Sequence, residues 1–167
     1  MQRLILMRHA EAERASPSGD DRDRVLSARG RTDATQMGRT LSAKGLRPDL
    51  ALVSAAARTR QTWDLAHEAF GDVDLREQGA LYNAGAETLR LAVEAVEEEA
   101  GCLMLVAHNP GIHQLAVEYL IESAASPAVL DRMSGGFPTG ACAVFTVDVA
   151  GRCTFEAFLQ PRDLTGA

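Results

Sequence analysis

Two histidines and two arginines of this 167-residue chain follow apolar segments, in positions from which they could act together on one small anion. Arg8 and His9 come directly after a short apolar run. Arg58 lies a few residues after a second run, and His108 and Asn109 follow a third. Guanidinium groups bind phosphate oxygens bidentately, and a neutral imidazole can attack phosphorus and form a phosphohistidine. These residue types therefore predict a phosphate site that contains a nucleophilic histidine.

Such a nucleophile needs its proton on one ring nitrogen, usually held by a backbone carbonyl, so that the other nitrogen is free. The second histidine and both arginines would then neutralise charge on the transferring phosphoryl group. Backbone N–H groups at helix N-termini would add further donors.

Three apolar segments are predicted to be the buried strands that position these residues: Leu4–Met7, Leu50–Ser54 and Cys102–Ala107. The last is apolar on both faces, as a central parallel strand must be. Ligands of an open parallel sheet bind beyond the carboxyl ends of its strands. The side chains that follow the three strands are therefore expected to meet at one edge of the sheet.

Strand and helix patterns alternate along the chain, which predicts an α/β protein with a mainly parallel sheet. The length is that of one domain, over residues 1–167. The predicted helices run from Ser27 to about Lys44, from Ala56 to Phe70, from Thr88 to Ala100, and onwards from Pro110. Further strands are predicted at 73–76, 141–147 and 154–159, and loops at 8–24 and 123–138.

Charge and cysteine content exclude several classes of protein. A net charge of −6 and a pI of about 5.2 argue against a nucleic-acid binder. No apolar run approaches the ~20 residues of a membrane span, and residues 1–7 are too short for a signal peptide. Cys102, Cys142 and Cys153 lack the spacing of a disulfide framework or zinc site, so we interpret them as buried, inert thiols of a cytoplasmic protein.

Several other polar or aromatic residues are interpreted as structural. His67 and His113 lie inside predicted helices, Trp63 belongs to the core, and Arg60 and the run 97–99 face solvent. His67-Glu68 is not followed by the second histidine of a zinc-binding H-E-x-x-H motif. We therefore predict no metal and no cofactor.

Five short segments together resemble the motifs of the histidine phosphatase superfamily, and in particular its short SixA-like branch of phosphohistidine phosphatases. They occur in the family's order and extend over almost the whole chain: Leu6–Ala10 (LMRHA), Leu26–Gly30 (LSARG), Ser54–Thr62 (SAAARTRQT), Val106–Gly111 (VAHNPG) and Phe137–Ala141 (FPTGA).

The resemblance implies a three-layer α/β/α sandwich of the phosphoglycerate mutase-like fold. It implies that His9 is the nucleophile and that Arg8, Arg58 and His108 complete a metal-free phosphate pocket, to which we add Asn109 as a substrate-binding residue. The implied substrate is a phosphorylated protein, through its phosphohistidine, or a small phosphorylated molecule. The net charge and the lack of a long apolar run predict no role for nucleic acid or membrane.

The sequence departs from the family pattern in two ways. Ala10 stands where many members have glycine, a feature that the SixA-like branch often shares. Larger members also carry an acidic proton donor, for which this chain offers several candidates: Glu77, Glu87, Glu11 and Glu13. The SixA-like branch has less need of such a donor, since the P–N bond of phosphohistidine is labile.

Three other functions are compatible with some of these residues. The first is a phosphatase of small phosphomonoesters. The second is a phosphoglycerate-type mutase, which the short chain disfavours because it leaves little length for a cap over the site. The third is a non-catalytic phosphate-binding module, which would retain the arginines but would not need the nucleophilic His9.

Overall fold

The computed structural model describes residues 1–164, which form one six-stranded sheet and five α-helices. The strands are β1 (Arg3–Arg8), β2 (Leu50–Ser54), β3 (Asp74–Gln78), β4 (Cys102–Ala107), β5 (Cys142–Val147) and β6 (Cys153–Leu159). The helices are α1 (Ala28–Ala43), α2 (Ala57–His67), α3 (Ala86–Ala95), α4 (Gly111–Glu122) and α5 (Pro127–Ser134).

The strand order is β3-β2-β4-β1-β5-β6. The first four strands of this order run parallel to one another, while β5 pairs antiparallel with β1 and β6 antiparallel with β5. The sheet is thus mainly parallel, as predicted, with an antiparallel hairpin at one side. Because β5 runs opposite to β1, the segment before β5 arrives at the carboxyl end of β1.

Helices cover both faces of the sheet, which confirms the predicted three layers. On one face, Met37 and Leu41 of α1 and Trp63 and Ala66 of α2 pack against alternate residues of the central strands. On the other face, α3, α4 and α5 pack against the remaining strand residues, among them Leu105. Every core position of β4 from 103 to 107 is fully buried, which explains its continuous apolar sequence.

The prediction of a loop over residues 123–138 was wrong, because these residues contain α5. Ser126 caps this helix through its hydroxyl, which accepts the Val129 N–H, and Pro127 occupies the first turn. Both are helix-start signals. Met133 anchors the helix in the core. The nearby glycines and Pro138 belong to the connection that follows α5, not to the helix itself.

The boundaries of three other elements differ from those predicted by two residues or more. α2 ends at His67, before Phe70, and α3 runs from Ala86 to Ala95, so the acidic run 97–99 lies in turns after the helix. β3 extends to Gln78 because it pairs in register with all of β2, from Leu50 opposite Asp74 onwards.

Candidate active site

The two motif histidines lie side by side at the carboxyl edge of the sheet. Arg8, the last residue of β1, pairs with Ala107, the last residue of β4, so His9 and His108 leave neighbouring strands at the same level. Their ring centroids are 5.5 Å apart. Together with Arg58 and Asn109 they line a cavity of about 400 Å³. All five predicted site residues therefore border one cavity, as the strand ends predict.

His9 has one ring nitrogen engaged and is almost completely buried, with 8% of its surface exposed. Its Nδ1 lies 2.8 Å from the carbonyl oxygen of Ala10. A carbonyl oxygen can only accept, so Nδ1 carries the proton and Nε2 has a free lone pair. Burial lowers the pKa of His9 to about 3, although the hydrogen bond to Ala10 opposes the shift, and the ring is neutral at pH 7.

The segment after His9 is held in place by α2. The N–H of Ala10 donates to the hydroxyl of Thr62 at 2.9 Å, and that hydroxyl donates to the carbonyl of Arg58 at 2.7 Å. The neighbouring Gln61 accepts the N–H of Leu26 at 2.8 Å. The last two residues of the S-x-x-x-R-x-x-Q-T segment thus fix both ends of the loop between β1 and α1.

His108 is a neutral imidazole with both nitrogens engaged. Nη2 of Arg58 lies 3.3 Å from Nδ1 of His108. A guanidinium can only donate, so Nδ1 accepts and the proton is on Nε2. Nε2 then donates to the hydroxyl of Ser54 at 2.7 Å. Burial and the charge of Arg58 lower the pKa of His108 to about 4.

Arg8 and Asn109 are joined through one backbone oxygen. Nη1 of Arg8 and Nδ2 of Asn109 each donate to the carbonyl of Phe137 at 3.0 Å. Phe137 begins the FPTGA segment, which the antiparallel β5 brings to this edge. Burial, with a smaller contribution from the charge of Arg58, lowers the pKa of Arg8. The guanidinium groups of Arg8 and Arg58 thus lie close enough, at the edge of the cavity, for their charges to interact.

Three buried polar atoms of these residues have no hydrogen-bond partner among the described residues: Arg8 Nε, Arg58 Nε and Asn109 Oδ1. Buried polar groups are nearly always hydrogen-bonded in native proteins. Arg8 and Arg58 both line the cavity, so each contributes a guanidinium group with one N–H still free to bind an acceptor.

Asp21 is a member of the site that the sequence analysis did not identify. Its carboxylate lines the cavity and accepts from Arg58 Nη2 at 3.1 Å, from Arg24 Nε at 2.9 Å and from the hydroxyl of Tyr82. These contacts, led by that of Tyr82, lower the pKa of Asp21 to about 2, so it is ionised at neutral pH. The only sequence signal was the density of charge around it in the first loop.

Of the four candidate proton donors, Glu11 borders the cavity, where its carboxylate accepts from the hydroxyl of Ser27 at 3.0 Å. Glu13 lines a neighbouring cavity formed by the first loop. Glu77 lines a separate cavity beside Trp63, and Glu87 is exposed at the start of α3. The structure therefore brings one of the four to the histidines.

The residues interpreted as structural have structural contacts. Trp63 is buried and stacks on His67, whose Nε2 donates to the carbonyl of Gly71. His113 donates to the carbonyl of Met133 at 2.7 Å and so joins α4 to α5. Arg60 is exposed, although it lies only two residues after Arg58 in the same helix.

The three cysteines are unpaired, and burial raises the pKa of each thiol, to about 12 for Cys102 and about 11 for Cys153. Within residues 1–164 there is no group of three or more His, Cys, Asp and Glu side chains that could hold a metal ion. No helix in this part of the chain is long and apolar enough to cross a membrane.

Comparison with known proteins identifies the family. A sequence profile of the histidine phosphatase superfamily (branch 1) matches residues 4–100. An uncharacterised protein of Mycobacterium tuberculosis is 37% identical over 142 residues, which cover 84% of this chain and 87% of the relative.

Two solved structures share the fold over nearly their whole length. One, from Agrobacterium tumefaciens and assigned the name phosphohistidine phosphatase SixA, is 33% identical, with a TM-score of 0.82, and covers 96% of this chain and 99% of its own. The other, from Nakamurella multipartitia and assigned the same name, is 29% identical, with a TM-score of 0.82 and 96% coverage of each chain. The sequence motifs, the fold and the profile match agree: this chain belongs to the histidine phosphatase superfamily, branch 1.

Proposed function

We propose that this protein is a metal-independent phosphatase that works through a phosphohistidine intermediate on His9 and removes phosphate from phosphohistidine side chains of other proteins. The observation that carries the proposal is the hydrogen bond from His9 Nδ1 to the carbonyl of Ala10, 2.8 Å long. It leaves Nε2 unprotonated beside Arg8 and Arg58, each of which has an unpaired, buried Nε–H.

In the first step, the lone pair of His9 Nε2 forms a bond to phosphorus as the bond from phosphorus to the leaving nitrogen breaks. The electron pair of that bond goes to the leaving imidazole, which takes up a proton from solvent. In the second step, water attacks phosphorus and loses one proton to solvent, the bond to Nε2 breaks, and inorganic phosphate leaves. One water is consumed and His9 returns to its neutral form.

The positive groups around His9 stabilise the charge that is transferred. Arg8 and Arg58 donate to the phosphoryl oxygens through their free N–H groups. The carbonyl of Phe137 accepts from both Arg8 and Asn109 and so holds the two side chains beside each other. A phosphoryl dianion favours the protonated form of a neighbouring imidazole. Bound substrate therefore raises the pKa of His108 from the low value that it has in the free protein.

The acidic groups of the cavity favour a leaving group that departs easily. Asp21, with its pKa lowered to about 2, is ionised and has no proton to give. Glu11 is the remaining carboxyl at the cavity among the candidate donors, and its Oε1 accepts a hydrogen bond from Ser27. The imidazole of a phosphohistidine leaves through a labile P–N bond, whereas the alkoxide of a sugar phosphate needs a general acid.

The arginines supply the positive charge that a metal ion would otherwise bring, so we propose that no metal or other cofactor takes part. The unpaired cysteines suit a reducing compartment such as the cytoplasm.

The test is a comparison of kcat/KM at one pH for a phosphohistidine peptide, p-nitrophenyl phosphate and a sugar phosphate. We expect the phosphohistidine peptide to react fastest, the aryl ester to be intermediate and the sugar phosphate to be slowest. A sugar phosphate preferred over both others would instead make the protein a phosphatase of small phosphomonoesters with Glu11 as a working acid. Wild-type protein that binds tungstate but hydrolyses none of the three would be a phosphate-binding module.

A further inference from the structure

The contacts of Asp21 concentrate on one partner, Arg58. Asp21 lies in a single turn of 3-10 helix, Asp21–Asp23, in the loop between β1 and α1. Its main-chain carbonyl accepts from Arg58 Nη1 at 2.9 Å, and its carboxylate accepts from Arg58 Nη2 at 3.1 Å. Asp21 therefore accepts hydrogen bonds from both terminal nitrogens of Arg58, a residue that is only 3% exposed.

Asp21 is itself held from two sides. Tyr82, in the turn after β3, donates its hydroxyl to Oδ2, and Arg24 donates to Oδ1 at 2.9 Å. The guanidinium of Arg22 lies over the ring of Tyr82, 4.8 Å from its centroid, and joins the same two segments again. The carboxylate is thus part of a fixed frame at the rim of the cavity.

Counting donors indicates which edge of Arg58 is left for a ligand. A guanidinium has five N–H groups. Asp21 occupies one on each terminal nitrogen, and a second on Nη2 points to His108 at 3.3 Å. Two N–H groups remain, the second on Nη1 and the one on Nε, and Nε is buried with no hydrogen-bond partner among the described residues. Asp21 therefore fixes the far end of the guanidinium and leaves the Nε edge for a phosphoryl oxygen.

We propose that Asp21 is a positioning residue for phosphoryl transfer, which acts by holding Arg58 with its Nε edge towards the phosphoryl group. This inference rests on the proposed function, since it gives Arg58 the phosphoryl group as its partner. The opposite interpretation makes Asp21 a competitor that occupies Arg58 in place of substrate. The two interpretations predict opposite signs for the effect of removing the carboxylate.

The test is a double-mutant cycle. We expect Asp21→Ala to lower kcat/KM for p-nitrophenyl phosphate by about 10–100-fold, the effect of losing a hydrogen bond to a charged group. If Asp21 acts through Arg58, Asp21→Ala should have almost no further effect in an Arg58→Ala background. In an Arg8→Ala background it should keep its full effect. Asp21→Asn retains an acceptor for Arg58 and should recover most of the loss.

Asp23→Asn is the matched control, because Asp23 lies in the same turn, is exposed and accepts from Ser18, away from the cavity. It should leave kcat/KM within about twofold of wild type, as expected for a surface change. A rise in kcat/KM on Asp21→Ala, or an equal loss in the Arg58→Ala background, would overturn the proposal.

The same cycle can be measured as tungstate affinity by calorimetry, which needs no turnover. Coupling between Asp21 and Arg58 in tungstate binding supports the positioning role even if the wild-type protein releases phosphate from no substrate. Additive effects on tungstate binding contradict it. The proposed function is tested separately, by the hydrolysis assays with the three substrates.

Discussion

The hydroxyl of Ser54 lies 2.7 Å from Nε2 of His108 and accepts a hydrogen bond from its N–H group. Both groups are buried, Ser54 completely. The contact joins the last residue of β2 to the first residue after β4, and together with the bond from Arg58 it sets the tautomer of the imidazole. The serine at the start of the S-x-x-x-R motif therefore orients the second histidine of the site.

Ser54→Ala should lower kcat/KM for p-nitrophenyl phosphate by about 10-fold, since it leaves the buried Nε2–H of His108 without an acceptor and frees the ring to turn. Steady-state kinetics measure the effect of the mobile ring on kcat/KM, and a thermal unfolding scan measures the loss of stability from the unpaired N–H group. Ser123→Ala, at the far end of α4, removes a hydroxyl that donates to two carbonyls of its own helix, and it serves as the control. Unchanged kinetics in Ser54→Ala would mean that His108 needs no fixed tautomer.

His9 should become covalently labelled during turnover. Rapid quench with a 32P-labelled substrate is expected to trap phosphate on His9, and His9→Ala should abolish both label and turnover, because the chain then lacks the free Nε2. EDTA should leave the labelling unchanged, since we propose that no metal takes part. His67→Ala, outside the cavity, is the control. Label on His108 instead would reassign the nucleophile.

Arg58 should be more sensitive than its neighbour Arg60 to substitution. Arg58→Ala is expected to cost about 10–100-fold in kcat/KM and to weaken tungstate binding, since each charge-assisted hydrogen bond contributes roughly 1.5–3 kcal/mol. Arg58→Lys should recover little, because an ammonium lacks the planar fork. Arg60→Ala removes the same charge from an exposed position two residues away. Equal losses at both positions would point to a general electrostatic effect.

Most of this site was predictable because each of its main residues follows a strand that the apolar pattern reveals. Arg8, His9 and His108 needed only the positions of β1 and β4. Asp21 was not predictable, since its contact with Tyr82 depends on how the first loop folds against a turn 61 residues further along the chain.

The fold was predictable to a similar degree. Periodicity identified the parallel strands and the helices between them. It missed α5, because the loop signals of Pro127, Gly135 and Gly136 outweighed the capping signal of Ser126. The position of the FPTGA segment depends on the pairing of β5 with β1. This position was not predictable, because the local sequence of a strand does not determine which strand it pairs with.

Acid should destabilise the folded protein through its two buried site histidines. Burial lowers the pKa of His9 to about 3 and that of His108 to about 4, from an ordinary value of 6.5. Below pH 6.5 the unfolded chain therefore binds more protons than the folded one, and the free energy of unfolding falls as pH decreases towards 4.

Urea unfolding at pH 7 and at pH 5 measures this loss. His9→Gln should show a smaller loss than wild type, and the double variant with His108→Gln a smaller one still, since each removes a group that gains its proton on unfolding. Losses of equal size in all three proteins would show that other groups cause the acid sensitivity.

Gly111 should be intolerant of any side chain, although it is the first residue of an ordinary helix. A Cβ at this position would collide with the carbonyl oxygen of Ala84 and would lie 3.1 Å from a methyl carbon of Leu89. The backbone of the segment between β3 and α3 passes directly over the start of α4, immediately after His108 and Asn109. The glycine of the VAHNPG segment is therefore explained by a close backbone approach.

Gly111→Ala should destabilise the protein by about 1–3 kcal/mol, the usual cost of overpacking, and should also lower kcat/KM, because either α4 or the segment 82–84 beside the cavity must shift. Gly85→Ala is the matched control: Gly85 lies one residue from Ala84, has φ −77°, and a Cβ there would meet no atom within 4 Å. Chemical denaturation and steady-state kinetics of the two variants measure the difference. If Gly111→Ala matched Gly85→Ala in both, α4 and the segment over it would have room to separate, and the site would not depend on their close contact.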